Sequence, residues 1–381
     1  MAHVYIHIPF CRKACTYCDF HFSTSLKRKA EIVEAICQEV RLQRTFFGAS
    51  PPPLQTLYFG GGTPSVLSES ELAYILETVR LHFPWSPDIE LTLEANPDDL
   101  SLPKLESLHR LGINRLSIGI QSFRAVDLQW MNRSHTPLQA LEAIQHAQQI
   151  GIHNISADLI FGLPNSTMDD WQRQLEQAIE CHIPHLSLYA LTVEERTALA
   201  HQVAKGKVYL PQDQSYVQQF LFAHSFLSAA GYDHYELSNY ALPNAYSRHN
   251  RSYWLQRPYL GIGPSAHSFN GQQRFWNVSN NVQYIRALQS PKPHIPAEVE
   301  TLSLRDQYNE YIMTHLRKRE GIDAEYIRKR FAYDIERLYP ALLSQWIREG
   351  ILTQEASQYK MTPEGWMLSD AIISELFWVD D

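Results

Sequence analysis

Apolar runs with strand character alternate with helix-patterned segments from the start of the chain to about residue 230. The first run covers residues 3–8, and a helical pattern follows over 27–47. A second run spans 54–59, and its helix opens at Ser68 with Glu71 three residues on, the spacing of a capping box. Residues 89–93 alternate apolar and polar positions, as a strand does. A helix then begins near Ser101 and stops at Gly112, a residue suited to the left-handed turn that closes a helix. The same beat gives a strand over 113–120, a helix opening at Thr136-Pro137, and a strand over 152–161. It continues with a helix over 167–181, a strand over 185–191 and a helix over 213–230. Six strand–helix units in succession predict a parallel sheet, because a strand must cross over a helix to return in the same direction. Periodicity alone leaves a doubly wound sheet and a barrel both open. Residues 240–300, rich in Asn, Tyr, Pro, Gly and Ser, read as irregular with short strands. From Leu302 the pattern is helical again over 308–316, 324–331 and 335–349, followed by short strands near 352–353 and 358–361. This C-terminal part has the outline of a winged-helix-like module.

The 381 residues carry a net charge of −8, and the longest basic run is Lys27-Arg28-Lys29. Phosphate backbones need a concentrated basic face, so no nucleic-acid partner is expected. No apolar stretch reaches the roughly eighteen residues of a membrane span, and the first ten residues do not read as a secretory signal. A cytoplasmic setting is expected; peripheral membrane contact would need no spanning helix. Five cysteines, an odd number, argue against a disulfide framework. Cys37 and Cys181 fall among apolar neighbours and read as core residues.

Cys11, Cys15 and Cys18 crowd into the loop after the first strand. A structural zinc site closes with four ligands, usually from two Cys pairs, and no second pair exists. Three thiolates on a four-iron cluster would leave one iron open for chemistry. In a barrel-like sheet, functional residues belong at the C-terminal strand ends. Gly60-Gly61-Gly62-Thr63 follows the second strand, Glu94 ends the third and Gln121 the fourth. Asp158 interrupts the apolar fifth strand, where a buried carboxylate needs a partner, either a structural salt bridge or a ligand.

The Cys-x3-Cys-x2-Cys spacing resembles the signature of the radical S-adenosylmethionine (SAM) superfamily. That resemblance implies a partial (β/α)6 barrel over residues 1–235, a 4Fe-4S cluster, and SAM bound at the open iron and cleaved to a 5′-deoxyadenosyl radical. The strand-end motifs are similar to the branch containing oxygen-independent coproporphyrinogen III dehydrogenase (HemN) and the HemW-like haem chaperones. From that branch, Tyr5 and Tyr17 are expected beside the cluster loop, and Gly61, Gly62 and Thr63 at the methionine end of SAM. Glu94, Gln121, Arg133, Asp158 and Ala190 are expected around its remainder. The dehydrogenase motif adds a fourth cysteine where this chain has Phe20, and with Cys11 so near the start no N-terminal extension of the dehydrogenase kind is expected. The segment His249-Asn250-Arg251-Ser252-Tyr253-Trp254 fits the His-Asn-x-x-Tyr-Trp pattern of the HemW-like group. Residues 236–300 are then an extension of HemN/HemW type, and 301–381 the C-terminal helical module. The resemblance implies haem binding and delivery to haem-requiring recipient proteins, with the dehydrogenase activity as the alternative. A radical SAM enzyme acting on an unrelated substrate is a further reading. His249 is the candidate haem ligand, although an imidazole there serves equally as a hydrogen-bonded core residue, and His267 is a second candidate.

Overall fold

The computed structural model describes residues 1–379. Six parallel strands form its centre: β1 (Ala2–Ile8), β2 (Leu54–Gly61), β3 (Trp85–Ala95), β4 (Arg115–Gln121), β5 (Asn154–Phe161) and β6 (His185–Ala190). They lie side by side in chain order, each hydrogen-bonded to the next. A doubly wound sheet reverses its strand order at a switch point. The unreversed order is that of a barrel wall, which resolves the choice that periodicity left open. The wall is partial: β1 and β6 share no ladder.

The helices between the strands start where the sequence says they should. Ser68 and Glu71 close a reciprocal capping box at Glu69–His82, as do Thr136 with Gln139 and Thr167 with Asp170 at the next two boxes. Such caps satisfy backbone N–H groups that have no partner inside the helix. The inward faces of the helices and strands merge into one continuous apolar core, with Cys37 fully buried in it.

The segment expected to be irregular with short strands extends the sheet at both edges. β7 (Asp233–Glu236) and β8 (Asn239–Ala241) pair antiparallel beyond β6, so the expected boundary at 235/236 cuts a strand. On the other side β9 (Tyr259–Ile262) pairs parallel with β1. β10 (His267–Phe269), β11 (Gln273–Asn277) and β12 (Ala297–Thr301) continue outward antiparallel. Strands of three to five residues show too little alternation to be read from sequence; their partners define them. The C-terminal module holds Leu304–His315, Ala324–Phe331 and Pro340–Arg348 against a three-stranded antiparallel sheet. The helix expected over 335–349 is broken at Pro340, which lacks an N–H and restricts Tyr339 before it (φ −124°, ψ 40°). Among the described residues no helix is long and apolar enough to cross a membrane.

Glu39, fully buried on the helix Lys29–Leu42, ties the β9–β10 turn to the barrel. Its carboxylate accepts from Gly263 N (2.9 Å), Asn277 Nδ2 (2.7 Å) and the Tyr284 hydroxyl (2.5 Å). Burial outweighs these bonds and pushes its pKa up from 4.5 to about 7. A carboxyl raised in this way favours the folded state most below its ordinary pKa, and that advantage is lost as pH rises through 7. The melting temperature of the wild type should therefore fall more between pH 5 and 8 than that of Glu39→Gln, measured by calorimetry; parallel slopes would contradict this.

Candidate functional site

The loop after β1 carries the three cysteines, and backbone bonds from several elements hold it in place. Cys11 N donates to Ser23 O (3.1 Å), Thr16 N to Met131 O (3.2 Å), and Leu199 N to Thr16 O (2.8 Å). Asn132 Nδ2 adds a bond to Ala14 O at 2.8 Å. Below it, Tyr17 packs on a small apolar cluster of Leu128, Met131, Ile160, Leu163, Leu191 and Leu199. The short helix Ala198–Ala204 that brings Leu199 was not legible in the sequence.

The glycine turn after β2 makes the closest approach. Gly62 N donates to Ile8 O at 2.9 Å, and a Cβ on Gly62 would lie 2.7 Å from Phe10 O and 2.8 Å from Phe10 N. Gly61 has φ +108°, and a Cβ there would meet the His7 ring at 2.5 Å. Glycine alone fits both positions. Thr63 completes the turn by donating to Cys11 Sγ at 3.3 Å.

A cavity of about 590 Å³ opens above these strand ends. It gathers Cys11, Cys15, Cys18 and Tyr17 from the loop and Gly61, Gly62 and Thr63 from the turn. Glu94, Gln121, Asp158 and Ala190 complete it from the later strands, with Arg133 from the turn that follows the helix Ala125–Trp130. Of the residues expected around the cluster and SAM, all but Tyr5 line this chamber. Tyr5 lines a neighbouring cavity, where it stacks on Tyr58 with ring centroids 6.0 Å apart. His249 lines neither. It is buried, with Nδ1 2.6 Å from Thr56 Oγ1 and Nε2 2.8 Å from the Tyr253 hydroxyl. Both ring nitrogens are engaged, so the geometry corrects the candidate ligand to a core residue that seats the helix Arg248–Trp254 against β2.

Electrostatics inside the chamber are set by burial. Arg133 donates through Nη1 to Cys15 Sγ (3.3 Å) and through Nη2 to Asn96 Oδ1 (2.7 Å) and Gly119 O (2.6 Å). Its Nε is buried with no partner among the described residues. Glu94 accepts from the Tyr58 hydroxyl at 2.8 Å and Gly61 N at 3.1 Å. Burial, with nearby Asp158 adding to it, pushes Glu94 up to about 7. Asp158 makes no salt bridge among the described residues; it accepts from the Ser117 hydroxyl at 3.3 Å, and burial raises it to about 6. Gln121 sits at φ +65°, a strained backbone at the strand end where β4 and β5 shift register. Burial also raises Cys11, and raises Cys18 to about 11, so binding iron would displace protons from the loop.

These residues fit a 4Fe-4S cluster and SAM. Three thiols converge on one chamber, the glycine turn leaves backbone bare beside them, and the orphaned Arg133 N–H wants an acceptor. Carboxylates and a guanidinium in the same space suit a ligand that carries both charges.

A second cavity, about 730 Å³, adjoins the first. Phe20, Gly61, Glu94, Tyr189 and Ser238 line both. It lies between the two edge extensions of the sheet, with Glu236 and Asn239 on one side and Tyr259, His267, Phe269 and Arg274 on the other. Phe20, which stands where the dehydrogenase motif has a cysteine, is 69% exposed at the boundary.

Because Gly62 cannot take a Cβ without moving the Phe10 backbone, Gly62→Ala should cost about 1–3 kcal/mol of stability. It should also lower iron and sulfide bound after anaerobic reconstitution by more than half; wild-type iron content in a folded variant would contradict the close-approach argument.

Comparison with known proteins agrees with this geometry. The Radical SAM superfamily model matches residues 5–178, and the HemN C-terminal domain model matches 302–368. A protein named heme chaperone HemW from Lactococcus lactis is 32% identical over 99% of this chain and 97% of its own length. The Bacillus subtilis protein of that name is 32% identical over 98% of both. Among solved structures, the Escherichia coli coproporphyrinogen III oxidase HemN shares the fold, with a TM-score of 0.83 at 22% identity, covering 98% of this chain and 89% of that one. Matched from end to end by such relatives, and built around the three-cysteine loop at the mouth of a partial barrel, the chain belongs to the HemW family of radical SAM proteins.

Proposed function

We propose that this protein is a haem chaperone that keeps a 4Fe-4S cluster and SAM in the first chamber, haem in the second, and passes haem to haem-requiring proteins. The observation that carries this reading is the shared wall of Phe20, Glu94 and Tyr189 between a cysteine-lined chamber and an aromatic one. The relatives named as heme chaperones support it across the whole chain.

Cys11, Cys15 and Cys18 hold the cluster, and Arg133 fixes Cys15 through its hydrogen bond to the sulfur. When bound, the cluster and SAM supply reductive cleavage chemistry. Gly61, Gly62 and Thr63 present bare backbone and a hydroxyl to the ligand beside the loop. Glu94 and Asp158 offer acceptors to its ammonium group and hydroxyls, while Arg133 Nε offers a donor to its carboxylate. Gln121, Ala190 and Tyr17 shape the remaining walls. Domain roles follow: 1–235 holds the cluster and SAM, 236–300 builds the second chamber, and the described part of 301–381 packs beside it. The thiols suit a reducing compartment, the cytoplasm.

The test is anaerobic. Reconstituted protein is titrated with haem, and separately given coproporphyrinogen III, SAM and a low-potential reductant. The reading predicts a Soret band that saturates near one haem per chain and no protoporphyrinogen. Formation of protoporphyrinogen at a catalytic rate would make the protein a dehydrogenase instead.

A further inference from the structure

Three imidazoles line the second chamber: those of His7, His21 and His267. His7 is occupied at both nitrogens, with Nε2 donating to His21 O (2.9 Å) and Nδ1 at 3.2 Å from the Tyr5 hydroxyl. His21 commits Nε2 to Asn281 Oδ1 at 2.8 Å. The His267 ring is exposed to the chamber, stacks on Trp276 at 6.4 Å, and has no hydrogen-bond partner among the described residues.

The surroundings of His267 suit a large, flat, apolar ligand with acidic ends. A volume of about 730 Å³ lies within the roughly 300–1,000 Å³ typical of small-molecule sites. Trp254, Tyr259 and Phe269 offer ring surface. Arg274 is the one lysine or arginine among the lining residues, and its guanidinium lies 4.8 Å from the centre of the Phe269 ring. It is held there by Glu310 (Nη2 to Oε2, 2.8 Å), within reach of an acidic substituent on the ligand.

The backbone that carries His267 is clamped. Ser268 Oγ accepts from Gly261 N at 2.9 Å and donates to Gly261 O at 3.2 Å. The two strands approach so closely that a Cβ on Gly261 would lie 1.9 Å from His267 O. One turn away, Glu39 fixes Gly263 and Asn277. A side chain left unpartnered on so fixed a strand is placed for a ligand.

We propose that His267 is the axial ligand of the haem iron, an assignment that rests on the haem-binding reading of the second chamber. The neutral imidazole gives a nitrogen lone pair to the iron and displaces the solvent ligand there, with no change in oxidation state. Burial and the charge of Arg274 both lower the His267 pKa.

The experiment titrates ferric haem into wild type, His267→Ala, His267→Gly and His21→Ala, using the reconstituted full-length protein. Circular dichroism and cluster absorbance serve as the check that each variant folds. The expected result is a shifted Soret band and binding about tenfold or more weaker in both His267 variants. Free imidazole should restore the wild-type spectrum in His267→Gly, and His21→Ala should match wild type. A wild-type spectrum in the His267 variants, or its loss in His21→Ala alone, overturns the ligand assignment while haem binding itself stands. No haem binding by wild type overturns both.

Discussion

Gly62 lies against the backbone of residues 8–10 more closely than any side chain would allow. That approach depends on the parallel register of β1 and β2, which brings Ile8 opposite Gly61 at the top of the barrel wall. From it follow the start of the cysteine loop, the bond from Thr63 to Cys11, and the edge that Gly61 shares between the two chambers. The unreversed strand order then lines up Glu94, Gln121, Asp158 and Ala190 at successive strand ends around the same space. The chemistry is concentrated at one end of the sheet because every crossover returns the chain in the same direction.

Burial does the electrostatic work. Glu94 and Asp158 are carboxyls held in largely buried positions by hydroxyl and amide donors rather than by cations. The guanidinium that could neutralise them turns instead to Asn96, Gly119 and Cys15. Such a chamber has acceptors and one N–H donor in reserve, and a charged ligand satisfies both. The second chamber is of a different kind, with aromatic walls, a single arginine and one imidazole without a hydrogen-bond partner among the described residues.

Much of this was legible in the sequence because it is local. The capping box at Ser68 and the helix starts at Thr136 and Thr167 are short-range chemistry, and all three form, the latter two also as capping boxes. The cysteine spacing and the polar residues ending apolar strands marked the first chamber, and of the residues named for it all but Tyr5 line it, while neither His249 nor His267, named for haem, does. Tyr5 and His249 lie outside it because their places are set across the sheet, by stacking on Tyr58 and by hydrogen bonds to Thr56 and Tyr253. A histidine beside aromatic residues reads the same in sequence whether it lines a cavity or seats a helix. The positions and pairing of the edge strands from β7 to β12 were hidden for a similar reason: they are too short to show a period, and pairing with β6 and β1 makes them strands.

The most direct test of the two-chamber account is anomalous diffraction at the iron edge from crystals of the reconstituted, haem-loaded protein. The account predicts a cluster peak bounded by Cys11, Cys15 and Cys18, and a separate single-iron peak beside His267 between Tyr259 and Arg274. A haem iron peak outside that cavity, on the C-terminal module or in the cysteine-lined chamber itself, would contradict it.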